Sequence, residues 1–159
     1  MDEDKINKLP PDVKKQFIKY ALKLSEKKKK TKVNDDFLTF VKHVWPEFIE
    51  GKHHKEIADK FNDIANNKIK RLIINMPPRH TKSEFASFLL PAWMVGRKPD
   101  LKIIQSTHTT ELAIRFGRKA KTLMDSPEYK ECFKTRLRED SQAAGKWETE
   151  QGGEYYAAG

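Results

Sequence analysis

Eight consecutive residues, Met76-Pro77-Pro78-Arg79-His80-Thr81-Lys82-Ser83, hold the side chains best suited to chemistry in this chain. A nucleoside triphosphate needs backbone N–H donors at the start of a helix, an ammonium that bridges its β and γ oxygens, and a hydroxyl for magnesium. Lys82 and Ser83 supply the ammonium and the hydroxyl. The usual pattern for such a loop is G-x-x-x-x-G-K-[ST], and here Met76 and Thr81 occupy both glycine positions. Pro77 and Pro78 carry no N–H, so the donors must come from His80 to Ser83, with Arg79 adding a cationic fork. Thr81 requires a backbone conformation that glycine reaches more cheaply. On their own, Lys82 and Ser83 read as an ordinary capped helix start behind a proline-bearing turn. Their place between a strand and a helix, with Arg79 beside them, makes phosphate binding an equal alternative.

The elements that must position this loop follow from the hydrophobic period. Ile69 to Asn75 is a short apolar, β-branched run, which predicts a buried parallel strand because a helical pattern follows almost at once. That helix is expected over about Lys82 to Val95, with Gly96 ending it in the left-handed conformation and Pro99 preventing a restart. Leu101 to Ser106 predicts the next strand and Thr109 to Asp125 the next helix. Alternation of this kind implies a parallel sheet with right-handed crossovers and helices on its faces. Ser126-Pro127 opens a short helix through Phe133, after which Leu137, Trp147 to Thr149 and Glu154 to Ala158 read as short strands around Gly152-Gly153.

Upstream, Pro10-Pro11-Asp12 marks the start of a helix to about Lys30, whose Val13, Phe17, Tyr20, Ala21 and Leu24 form one stripe and predict packing against something larger. Asn34-Asp35-Asp36 caps a second helix that ends at Trp45-Pro46, and Gly51 precedes a third that breaks at Asn66-Asn67.

The formal charge of +9 is unevenly spread. Residues 1–32 hold eleven Lys and five acidic residues, giving +6, and the remainder holds 21 basic and 18 acidic residues, giving +3. A basic arm of this kind can follow a phosphate backbone through counterion release, and it can equally be a solvated helix end. With 37% hydrophobic and 35% charged residues the composition is that of a soluble, globular chain with one core, and no apolar run approaches the length of a membrane span. The acidic start Met1-Asp2-Glu3-Asp4 is unlike a secretory leader, which points to a cytosolic setting. The single Cys132 reads as a half-buried small apolar residue rather than a disulfide or zinc ligand.

From Phe37 to Gly159, about three quarters of the chain, the sequence resembles the N-terminal ATPase region of tailed-phage large terminase subunits, the motors that drive DNA into an empty capsid. The runs that carry the resemblance are Phe40-Val41-Lys42-His43-Val44-Trp45-Pro46, Gly51 to His53 with Ile57 and Phe61, Ile69 through Glu84, Pro91-Ala92-Trp93, and Trp147-Glu148-Thr149 with Gly152-Gly153. In that family the Pro-Pro-Arg-His-x-Lys-Ser element is a variant phosphate loop. The resemblance therefore implies ATP and Mg2+ as cofactors, with Lys82 on the γ-phosphate, Ser83 on the metal, and Arg79 sensing or stabilising phosphate charge. Thr81 stands where the family more usually has glycine. The same comparison makes Trp45, Pro46 and His53 candidates for bordering the adenine, against plain packing roles for each. Gln105-Ser106-Thr107-His108, at the end of a strand, becomes either a coupling element or a simple helix cap, and Arg115, Arg118, Lys119 and Lys121 read as solvated charges.

The fold expected from these readings is α/β: a P-loop NTPase-like parallel sheet flanked by helices, with a basic helical arm over residues 1–33 and the front part of an ATPase domain over residues 34–159. No apolar strand ending in paired acidic residues follows Lys82, so the ATPase fold is expected to be incomplete, and the chain alone to bind nucleotide weakly and turn over little. The intact protein implied by the resemblance is an ATPase with a nuclease domain, acting on double-stranded DNA with a portal protein and a small terminase subunit, as a homo-oligomeric ring in the host cytoplasm at the procapsid portal. The alternatives are a fragment of a helicase-like translocase, whose loops usually keep the two glycines, and a non-catalytic basic module that binds nucleic acid or a partner.

Overall fold

The computed structural model describes residues 10–159. The first nine residues of the arm, including the acidic start and Lys5 and Lys8, lie outside them. Three helices come first: α1 (Pro11–Asp35), α2 (Phe37–Val44) and α3 (Lys52–Ala65). Asp36 separates the first two with an extended backbone, and its side chain caps α2 by accepting from the Thr39 N–H at 2.7 Å. The same carboxylate accepts from Asn62 Nδ2 at 2.9 Å, while Asn62 Oδ1 accepts from the Phe37 N–H at 2.9 Å, so the cap also ties α2 to α3. After the loop, α4 (Lys82–Glu84) runs through a π turn (Phe85–Leu89) into α5 (Leu90–Arg97). Then come β1 (Lys102–Ser106), α6 (Thr110–Asp125), α7 (Pro127–Cys132), β2 (Leu137–Ala143), β3 (Lys146–Thr149) and β4 (Glu154–Ala158). Thr109 and Ser126 cap α6 and α7, so Thr109, rather than Ser106 or Thr107, provides the cap after β1.

The core is aromatic. Phe37 meets Phe61, Phe85 and Trp93 edge-on at centroid distances of 5.1, 5.4 and 5.4 Å, and Phe40 meets Tyr129 and Phe133 at 6.2 and 5.8 Å. The polar ends of these buried rings are satisfied: Trp93 Nε1 donates to Val33 O at 2.9 Å and Tyr129 Oη to Ala92 O at 2.8 Å. Cys132 is half-buried.

The strands form one mixed sheet of four, in the order β1-β4-β3-β2, flanked by helices. Only β1 and β4 run parallel, with Ile104 beside Tyr156; β4–β3 and β3–β2 are antiparallel. The expectation of a parallel sheet is corrected here. The short links Ala144-Gly145 and Glu150 to Gly153 fold the last three strands as hairpins, and only the return from β1 to β4 passes through helices.

Three further expectations are overturned. Ile69 to Asn75 is irregular, with a bend at Lys70, and joins no ladder among the described residues; it leans on the core through Leu72 and Ile74 while Ile73 is 86% exposed. Gly96 lies inside α5 and has no positive φ; a Cβ there would sit 2.6 Å from Cγ of Phe133, so the glycine serves close packing. The arm helix continues past Lys30 to Asp35, and its Val13, Tyr20 and Leu24 remain exposed rather than packed, Val33 being its buried residue. No helix among the described residues is long and apolar enough to cross a membrane.

Candidate phosphate-binding loop

The loop opens at the end of the 69–75 segment and closes on α4. Two of its residues are left-handed, Arg79 at φ 64° and Thr81 at φ 56°, conformations that cost about 1–2 kcal/mol per residue for a side chain with a Cβ. Left-handed Thr81 followed by right-handed Lys82 is the alternation that turns successive N–H groups toward one concavity. His80 closes the turn over Pro78 and Arg79, and no backbone carbonyl or side chain among the described residues accepts from the N–H groups of Thr81, Lys82 or Ser83. The Phe85 N–H, by contrast, donates to Thr81 O at 2.9 Å and begins the regular helix.

Lys82 is half-buried and folds back across the loop, its Nζ donating to the Met76 carbonyl at 3.3 Å. Ser83 and Arg79 are exposed, as is His80, whose Nδ1 donates to Pro78 O at 2.9 Å. Of the two groups named for the triphosphate, Ser83 is thus exposed and Lys82 half-buried, and neither lines the cavity beside Met76.

A histidine that the sequence reading passed over holds the loop from the side. His54, 5% exposed, accepts the Gly51 N–H on Nδ1 at 2.8 Å. An imidazole that accepts at Nδ1 carries its proton on Nε2, so His54 Nε2 donates to Thr81 Oγ1 at 2.6 Å, and Thr81 Oγ1 donates onward to His80 O at 2.7 Å. The ring rests against Phe48 and Phe85, at 4.8 and 5.1 Å. Burial, with the neighbouring His53 and His80 adding to it and Glu50 opposing, holds its pKa below the usual histidine value, which favours the neutral form this chain of bonds requires. The signal for it was local: His54 is the third residue of α3, the position from which a side chain reaches back to the capping residue's N–H.

Of the three adenine candidates, the structure brings His53 toward the loop and leaves Trp45 and Pro46 outside its cavity. The His53 ring lies tilted against His54 at 3.8 Å and edge-on to His80 at 5.7 Å, its Nε2 is buried without a hydrogen-bond partner, and it lines a cavity of about 550 Å³ with Ile57, Lys60, Leu72 and Met76. Trp45 is half-buried against Phe48 at 5.5 Å and does not line that cavity. His108, at the end of β1, instead borders a separate cavity of about 770 Å³ with Arg115 and Arg118, and Lys119 lies over the Phe88 ring at 5.2 Å. Among the described residues no group of three or more His, Cys, Asp or Glu is arranged to hold a metal ion. No protein-family model, curated protein or solved structure matches this chain.

Proposed function

We propose that residues 76–83 bind the phosphates of ATP with Mg2+, and that the chain is the nucleotide-binding part of a DNA-packaging motor of the terminase large-subunit type. The observation that carries the phosphate reading is the row of three unclaimed N–H groups from Thr81 to Ser83, next to an ammonium that has nothing better to hold than one backbone carbonyl. An anion accepts from several such donors at once, and oriented backbone donors need no rearrangement to receive it. Lys82 would leave Met76 O for the β and γ oxygens, Ser83 Oγ would join the metal's shell, and Arg79 stands two residues upstream of Thr81 with an exposed guanidinium. His53, with its cavity beside Met76, is the side chain that supports an adenine pocket. The motor reading rests on the sequence resemblance, and the P-loop NTPase-like fold belongs to the same proposal.

The test is a thermal or denaturant titration of the chain with Mg-ATP and ADP, in wild type and Lys82→Ala. A bound nucleotide at about a hundredfold excess over Kd stabilises by roughly 2.7 kcal/mol; wild type is expected to gain and Lys82→Ala to lose most of the gain. An identical response of the two proteins overturns the phosphate loop. In the intact packaging protein Lys82→Ala is expected to abolish filling of procapsids with DNA.

A second reading, a basic module for nucleic acid or an acidic partner, is favoured by α1 alone. That helix carries nine lysines against three acidic residues and is exposed along nearly all its length. It predicts no nucleotide response in the same titration.

A further inference from the structure

We propose that His54, in its neutral form with the proton on Nε2, is the positioning residue that holds Thr81 left-handed and so keeps the phosphate loop formed before nucleotide arrives. The inference rests on the phosphate-loop reading and adds to it a reason why a threonine can stand where glycine would be expected. Thr81 at φ 56° has no intrinsic preference for that conformation. What fixes it is its hydroxyl, which receives the His54 Nε2 proton at 2.6 Å and passes its own to His80 O at 2.7 Å. Each donor in the series has one acceptor, starting from the Gly51 N–H at the head of α3, so the direction of the whole chain is set by a backbone amide that can only donate. Phe48 and Phe85 clamp the ring, and Phe85 is the first residue of the π turn, whose extra residue per turn falls directly behind the loop. Protonating His54 would set a second N–H against the Gly51 N–H and break the series at its origin.

Thr81→Gly removes the need for the support, because glycine takes the left-handed conformation without steric penalty. The measurement is Mg-ATP affinity, by calorimetry on the whole chain, in wild type, Lys82→Ala, His54→Phe, His54→Gln, Thr81→Gly and the His54→Phe/Thr81→Gly pair. His54→Phe keeps the aromatic packing and loses both hydrogen bonds; it is expected to weaken binding about tenfold, the factor that corresponds to one left-handed non-glycine residue released. The pair is expected to bind as Thr81→Gly does, and His54→Gln, which retains a donor at the ε position, to recover part of the loss. Between about pH 8 and pH 5 wild type is expected to lose affinity relative to Thr81→Gly. His53, His80 and Glu50 face His54 and are shared by both proteins, so only the ratio isolates His54.

If the pair stays as weak as His54→Phe, or the ratio is flat with pH, the positioning role is overturned while the phosphate loop stands. If wild type and Lys82→Ala bind alike, the phosphate reading fails on its own account. The positioning claim is then decided without nucleotide, by the ring nitrogen shifts of His54 and the backbone carbon shifts of Thr81. A proton on Nε2 and a left-handed Thr81 shift lost in His54→Phe uphold it, and an unchanged Thr81 shift refutes it.

Discussion

The polypeptide on the two sides of the loop is held in opposite ways. Residues 69–75, before it, are irregular with Ile73 in solvent and no ladder partner among the described residues, whereas Phe85, after it, is wholly buried among Phe37, Phe48 and His54. A strand derives its rigidity from neighbours on both edges, and a helix facing an aromatic cluster derives it from packing. The loop is therefore anchored through α4 and its histidine support, and the entering segment contributes little. That difference says where substitutions should matter.

The largest effect is expected at Phe85. Truncation to alanine removes a fully buried ring that touches three others, which costs about 3–5 kcal/mol. Urea unfolding of Phe85→Ala should show it, with loss of the Thr81 conformation as a secondary consequence because His54 loses one face of its clamp. A cost below about 1 kcal/mol would mean that the cluster does not anchor the loop.

A middle-sized effect is expected at Asp36, which joins α2 to α3 and so braces the helix that carries His54. Burial alone would raise its pKa, but the hydrogen bonds from Thr39 and Asn62, with Lys42 nearby, bring it below the ordinary aspartate value of 3.8. With the folded pKa the lower one, the unfolded chain takes up the proton first, so this contribution is complete above pH 3.8 and fades as pH falls through the folded value. Asp36→Ala is expected to cost about 1–2 kcal/mol at neutral pH, the range for a lost helix cap. In denaturant titrations the variant and wild type should converge in acid; a constant gap would remove the charge from the argument.

These contrasts also explain which parts were legible in the sequence. The starts of α2 and α7 were, because Asp36 and Ser126 act through their own side chains on amides three residues away. The left-handed backbone at Thr81 was legible for the same reason, because it follows from the glycine position that Thr81 fills. What lay in partnership was not. Ile69 to Asn75 has strand composition, yet composition does not supply a neighbouring edge. The glycine at 96 looked like a helix end and is instead a seat for Phe133, a contact made across 37 positions of chain. The stripe Val13, Phe17, Tyr20, Leu24 has helical period, and period does not say whether anything covers it. His54 escaped notice because its role depends on Thr81, 27 residues away.

The smallest effect sharpens the comparison most. Ile73 is 86% exposed in a segment whose alternate residues Leu72, Ile74 and Met76 touch the core. Ile73→Ser removes a side chain that already faces water, so the change in unfolding free energy should stay within about 0.5 kcal/mol, as for surface positions in general. A loss of about 2 kcal/mol, the size expected for a buried aliphatic residue, would show that Ile73 is covered in solution. The entering segment would then be as firmly held as the helix that leaves the loop, and the asymmetry on which the other two expectations rest would disappear.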